Sequence, residues 1–327
     1  MSPEYIFTYD TRDTRYEIPI ASKLAEYEIM KELELIKDIR ERAGKPGSGV
    51  KAGIGDDCAV LDYDRRRYLL WASDMLADGT HFRAGKVPYK KIGHKAVAVN
   101  ISDIAAMGGV PRYILVSIGI PGGMKKAAVK AIYDGIFSTC KDYGIKVIGG
   151  DTVRASCLVI DISILGLVEK TRLLRRSGAK EGELMLITGP VRDGKKEHMD
   201  FRPRLKEARA LAGRCRIGSM IDTSDGIALD AGRICSESGV GCRLYESAIP
   251  LSKGLSLEDA LYYGESFELL FTMDVREARS LFLGMRSSGR VPEYFIIGEI
   301  TGKREGMCLI EEEGHATPLR SEGFRHL

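Results

Sequence analysis

The sequence predicts a mixed α/β protein, α/β (α+β) in class, built in two units, and three observations predict it. The chain has 327 residues, too many for one ordinary hydrophobic core. Short apolar runs of strand length alternate with longer stretches at helical spacing. Near residue 170 the charged, weakly patterned segment "EKTRLLRRSGAKEGE" separates the two halves. The expected boundaries are an extension over 1–30, a first domain over 31–170 and a second over 171–327.

Residues 1–20 are polar and irregular. Leu24, Ile29, Leu33 and Ile36 then recur near helical spacing up to Gly44, which predicts an amphipathic helix over 22–43 packed on the body. "CAVLDY" and "YLLWASDM" flank a charged tip at 64–67 and read as a β-hairpin. "YKKIGHKAVAVNISDIAAMGG" reads as a helix stopped by Gly108 and Gly109, and "RYILVSIGIP" as a strand ending at Pro121. A second helix closes at Gly144, and "IKVIGGD" and "LVIDISILGLVE" are strands, giving the order ββαβαββ. In the second half "LMLITGPV", "CRLYESAIP", "FELLFTMD", "YFIIGEIT" and "MCLIEEE" read as strands. "RPRLKEARALAG" and "VREARSLFLGMRSSG" read as helices, and "SMIDTSDGIALDAGRICSESG" as a strand turning into a helix.

Composition narrows the function. The balance of 49 basic and 46 acidic residues gives a net charge of +3, which advertises neither nucleic acid nor a membrane as partner. No apolar run approaches the roughly 18 residues of a membrane span. The opening residues lack the basic and apolar regions of a secretory signal. Seven scattered cysteines without a C-x-x-C pair suit reduced thiols in a cytoplasmic protein, not a disulfide frame or a zinc site.

The chemistry is expected from aspartates. Asp56 and Asp57 stand side by side in "GIGDDCAVL", Asp74 ends "WASD", Asp151 follows "KVIGG", and Asp222 and Asp225 lie in "IDTSDG". Each is expected where a strand gives way to a loop. Asp103 instead lies within a helix, on one face with Ala96, Asn100 and Met107, opposite a plain core face of Val97, Ile101 and Ala105. Carboxylates in this number with only five histidines suit a hard cation such as Mg²⁺, whose charge removes the repulsion between Asp56 and Asp57. Phosphoryl transfer most often demands such a set. "GPVRDGKK" at 189–196 nearly fits a phosphate loop, but Lys196 stands where the hydroxyl belongs. Residues and spacing reach a Mg-dependent, phosphate-handling enzyme and stop there.

Seven ordered motifs carry a resemblance further: "GIGDDCAVL", "ASDMLADGTHF", "KAVAVNISDIAAMGG", "VIGGDT", "RRSGAKEGE", "IDTSDGIALD" and "ESFELLFTM". Over about residues 50–310 the chain resembles the thiamine-monophosphate kinases, within the wider aminoimidazole ribonucleotide synthetase-like group. The resemblance implies a homodimer whose N-terminal domains share a β-barrel, each flanked by an α/β C-terminal domain. It implies ATP and several Mg²⁺ ions in a cleft between domains, with thiamine monophosphate attacking the γ-phosphate directly to give thiamine diphosphate and ADP. Matched by motif, Asp57, Ser73, Asp74, Asp103, Asp151, Asp222 and Asp225 correspond to metal ligands. Gly150, Asp151, Arg176 and Ser224 correspond to ATP contacts, and His81 and Glu265 to substrate contacts.

The sequence departs from that family at the acceptor end. Where the family shows Gly-Gly-Glu-Asp-Tyr-Glu, this chain has Tyr263 to Glu268, with Ser266 and Phe267 replacing a carboxylate and a phenol. Near the C-terminus, where the family places an aromatic residue, it has Ser321, with Phe324 three residues on. A related ATP-dependent enzyme acting on another acceptor, or a non-catalytic nucleotide-binding protein, is the alternative that ADP release would separate.

Overall fold

The computed structural model describes residues 32–194, 198–287 and 294–323. Helix α1 (Glu32–Ala43) is the end of the helix expected from residue 22; Leu24, Ile29 and the extension over 1–30 lie outside the described residues. Its apolar edge is only loosely packed, since Ile36 is 38% exposed. An ion pair moors it instead, Arg40 Nη2 donating to Glu237 Oε2 at 3.2 Å.

The first unit is a six-stranded sheet in the order β1-β2-β3-β6-β4-β5. Its strands are β1 (Val50–Ala52), β2 (Ala59–Asp62), β3 (Arg67–Ala77), β4 (Val110–Pro121), β5 (Lys146–Ala155) and β6 (Val159–Glu169). The tip between β2 and β3 is a tight turn, because Asp64 accepts from the amides of Arg66 and Arg67 at 2.8 and 2.7 Å. All pairs are antiparallel except β4 with β5, which run parallel and need the crossover that α3 (Lys126–Tyr143) supplies. Leu70, Val116, Ile160, Ile162 and Ile164 on one sheet face bury against α3 and α2 (Tyr89–Ala106). The two helices touch at glycines: a Cβ on Gly93 would stand 2.0 Å from the Ile132 carbonyl oxygen, and one on Gly135 2.0 Å from that of Lys90.

The second unit is a seven-stranded sheet in the order β13-β12-β9-β11-β7-β10-β8. It comprises β7 (Leu184–Thr188), α4 (Leu205–Arg214), β8 (Ile217–Asp222), α5 (Ile227–Ser238), β9 (Gly241–Tyr245), α6 (Leu257–Tyr262), β10 (Leu269–Met273), α7 (Val275–Ser287), β11 (Tyr294–Thr301), β12 (Met307–Ile310) and β13 (Ala316–Pro318). Only β9 and β12 pair in parallel. No described helix is long and apolar enough to cross a membrane.

Helix α2 corrects the expectation that its core face is the one with Val97, Ile101 and Ala105 alone. Ala105 and Ala106 at its end join Leu186, Met220 and Phe271 of the second unit, so the helix is wedged between both units. Asn100 and Met107 are therefore as fully buried as Val97 and Ile101. Asn100 pairs internally: its amide donates to the Ala96 carbonyl at 3.0 Å, and its side-chain oxygen accepts from the Asp74 amide at 3.2 Å. A second correction concerns Asp74 and Asp151. Both lie inside strands, because β3 runs on against β6 to Ala77 and β5 against β4 to Ala155.

Candidate active site

Three carboxylates converge where the units meet. Asp57 comes from the turn before β2, Asp103 from α2 and Asp222 from the end of β8, and one oxygen of each lies within 4.8 Å of the others. Burial pushes the carboxyls of Asp103 and Asp222 well above the ordinary range, and Asp74 and Asp57 respectively push them further. Burial also raises Asp57, against the pull of Arg176, which donates to its Oδ1 from Nη2 at 2.6 Å and Nε at 3.2 Å. Its Oδ2 is buried without a hydrogen-bond partner. Such an orphan costs about 1–3 kcal/mol. A divalent cation would satisfy it and cancel the mutual repulsion, so these residues fit the hard cation the sequence points to.

The neighbouring carboxylate has a different task. Asp56 accepts from Arg175 Nε and from the Arg176 amide, both at 2.8 Å, and so clasps the turn of the first unit to the segment leading into the second. The two adjacent aspartates thus share Arg176, Asp56 taking its amide and Asp57 its guanidinium.

The sequence reading overlooked several groups around this cluster. Ser102, one residue before Asp103, donates to Asp222 Oδ2 at 2.6 Å. Arg233 pairs at 2.5 Å with Asp225, an expected ligand that is 7% exposed, and also holds Asp230 at 2.7 Å. Burial lifts the Asp230 carboxyl to about 7. The signal was available, since Asp230 closes "IDTSDGIALD" and Arg233 follows three residues later, on the same helical face.

Other expected ligands are not brought to the trio. Asp151 is exposed on the edge strand β5, its Oδ1 accepting from the Thr152 amide at 2.8 Å. The register Asp151–Ser117–Asp161–Met75 puts it on the sheet face away from α2. Ser73 shares that face, because it alternates with Asp74, and its hydroxyl donates to Asp161 Oδ1 at 2.9 Å. Gly150 is required where it stands: at φ 152° an added Cβ would lie 1.8 Å from the Val116 carbonyl oxygen. Ser224 is half-buried beside Asp225, its carbonyl accepting from the Glu265 amide at 2.7 Å. Lys195 and Lys196 of the near phosphate loop, and Phe324, lie outside the described residues.

His81 and Glu265 meet through a third residue. Lys95 of α2, fully buried, donates from Nζ to the His81 carbonyl at 3.2 Å and to Glu265 Oε1. His198 Nδ1 is 2.7 Å from Glu265 Oε2. Burial alone would raise the Glu265 carboxyl, but His198 and Lys95 outweigh it and hold it below its ordinary value. Glu265 and Phe267 take left-handed backbone (φ 57° and 52°), a strained state for residues other than glycine. Phe267 stacks on Phe201 at 4.1 Å, and Ser266 Oγ accepts from the Arg192 amide at 3.0 Å, so both departures from the family motif are packed into the body. Ser321 packs on α5, its Oγ 2.0 Å from where a Cβ of Gly232 would stand. Lys95 could have been noticed as a lone lysine inside an apolar helical run; His198 left no signal.

Comparison with known proteins places this geometry. The model for AIR synthase related protein, N-terminal domain, matches residues 55–168, and that for AIR synthase related protein, C-terminal domain, matches 156–309. Both halves are those of an AIR synthase related protein. Thiamine-monophosphate kinase of Escherichia coli (strain K12) is 33% identical over 325 residues, covering 90% of this chain and 98% of that one. Thiamine-monophosphate kinase of Bacillus subtilis (strain 168) is 30% identical over 333 residues, covering 91% and 99%. The chain belongs to the thiamine-monophosphate kinase family. The solved structure of AaThiL complexed with AMPPCP and TMP shares the fold, with a TM-score of 0.78 at 24% identity over 94% of this chain and 100% of that one.

Proposed function

We propose that this protein transfers the γ-phosphate of ATP in line to thiamine monophosphate, giving thiamine diphosphate and ADP. The observation that carries the reading is the clustered trio Asp57, Asp103 and Asp222, with its orphan oxygen, in a chain whose relatives at 30% identity or more bear that activity's name. Asp57, Asp74, Asp103 and Asp222, with Asp225 beside them, would hold Mg²⁺. The bound cation would supply charge neutralisation, so that an anionic acceptor can approach ATP. Arg176 and Ser224 bind the nucleotide, and Arg176 adds fixed positive charge where the phosphates gather. His81 and Glu265 orient the acceptor. An acceptor phosphate is already ionised at neutral pH, so positioning matters more than a general base.

The outer face of the first sheet supports a homodimer closed as a shared β-barrel. Trp71, Met75, Tyr113 and Leu115 there are 47%, 58%, 45% and 41% exposed, a large apolar surface for a lone chain. Asp151, Gly150 and Ser73 belong to this face or its edge strand, so in this reading they reach a nucleotide only across a second copy. The domains divide at 31–170 and 171–327, and the free thiols suit the cytoplasm.

The test is ADP formation with ATP and Mg²⁺, with and without thiamine monophosphate, scored together with thiamine diphosphate. Acceptor-dependent ADP matched mole for mole by thiamine diphosphate is expected. ATP binding without any response to that acceptor would overturn the substrate assignment.

A further inference from the structure

Lys95 is an unusual residue to bury. It lies on α2 in the middle of the protein at 0% exposure, where an ammonium without partners is costly. Two of its N–H donors meet the His81 carbonyl at 3.2 Å and Glu265 Oε1, and His198 Nδ1, which faces Glu265 Oε2, lies 2.6 Å from the same ammonium. These come from three separate segments: the turn after β3, the stretch before α4, and the strained loop ahead of β10. The Glu265 carboxylate is gripped at both ends, Oε1 by Lys95 and Oε2 by His198 at 2.7 Å, which fixes its rotation. The loop carrying it has little freedom elsewhere, since the Glu265 and Phe267 amides donate to the Ser224 and Thr223 carbonyls at 2.7 and 2.9 Å.

We infer that Lys95 is the positioning residue of the acceptor site. It sets His81 and Glu265 relative to each other, and so determines how tightly the acceptor binds without touching it. The inference rests on the functional reading above, which assigns those two residues to the acceptor. Lys95 makes no bond to the carboxylate trio among its described contacts, so its influence is expected on one substrate only.

The experiment measures KM for thiamine monophosphate and for ATP, with Tm, in wild type, Lys95→Met, Glu265→Gln and the double variant. Lys95→Met is expected to raise the acceptor KM tenfold or more and to leave the ATP KM within twofold. If Lys95 acts through Glu265, the double variant has the acceptor KM of Glu265→Gln alone. The double variant leaves neither charge buried without its partner, so it reads the coupling even if Lys95→Met fails to fold. An unchanged acceptor KM, equal changes in both KM values, or multiplied effects in the double variant would each overturn the inference. Wild type that binds ATP yet forms no thiamine diphosphate would overturn the functional reading instead, and the inference with it.

Discussion

Replacing Asp103 by Asn removes one charge of the trio while keeping its shape. At 4.8 Å and an effective dielectric of about 20, two ionised carboxylates repel by about 3.5 kcal/mol. Asp103 takes part in two such pairs, and 4.8 Å is the outer limit of their spacing, so the unrelieved repulsion is about 7 kcal/mol or more. Two things lower it. A carboxyl escapes repulsion by keeping a proton, which near neutral pH costs about 4–5 kcal/mol from an ordinary carboxylate value, and Arg176 already offsets part of the charge on Asp57. The expected gain for the metal-free variant is about 2 kcal/mol, or about 4–8 °C in Tm for domains of this size. Scanning calorimetry in EDTA and then in excess Mg²⁺ reads both halves of the claim. Asp103→Asn should melt above wild type in EDTA, gain less than wild type from Mg²⁺, and show no turnover. A variant that melts lower in EDTA and gains as much as wild type from Mg²⁺ would refute the reasoning, because the trio would then be neither repulsive nor a cation site.

Two further outcomes follow from features outside the trio. The Arg209 hydrogen bonds to Glu169 hold its carboxyl down at about 2, below the unfolded value, so this pair stabilises the fold above about pH 4.5 and loses its contribution as pH falls toward 2. Because Glu169 is 42% exposed, the pair is worth about 1 kcal/mol or less; Glu169→Gln should cost that much in urea unfolding at pH 6 and almost nothing at pH 2.5, and a gap independent of pH would count against it. Met75→Asp puts a charge in the exposed apolar face of the first sheet and should turn a dimer into a monomer by sedimentation, with little change in the Tm of the chain; a wild type that is itself monomeric would remove the basis for this expectation.

Most elements were legible because their apolar periods are long enough to fix both type and face. Strands β3, β4 and β6 and helices α2, α3 and α5 fall where alternation or helical spacing puts them. The short elements β1, α6 and β13, of three to six residues, carry less than two periods and gave no signal. In the site, the motif aspartates were visible as residues, but their grouping was not. Asp57, Asp103 and Asp222 are separated by more than a hundred positions in all, and only the wedging of α2 between the units brings them together. Strand continuation was the chief source of error, since a glycine pair such as Gly149–Gly150 looks like a turn until its pairing with β4 is known. Lys95 and His198 were hidden for a related reason: their role exists only through contacts with Glu265, about 170 and 67 positions along the chain.

The clasp at Asp56 gives the paired aspartates a thermodynamic meaning. One carboxylate of the dipeptide fastens the seam between the units, and the next, anchored on the same Arg175–Arg176 segment, lies in the trio. Cation affinity and seam strength are then one coupling free energy seen from two sides. Whatever tightens the seam tightens the ion, and an ion bound across it resists every motion that would part the units. With the proposed cation bound across that seam, such a protein would need no separate latch over a charged nucleotide.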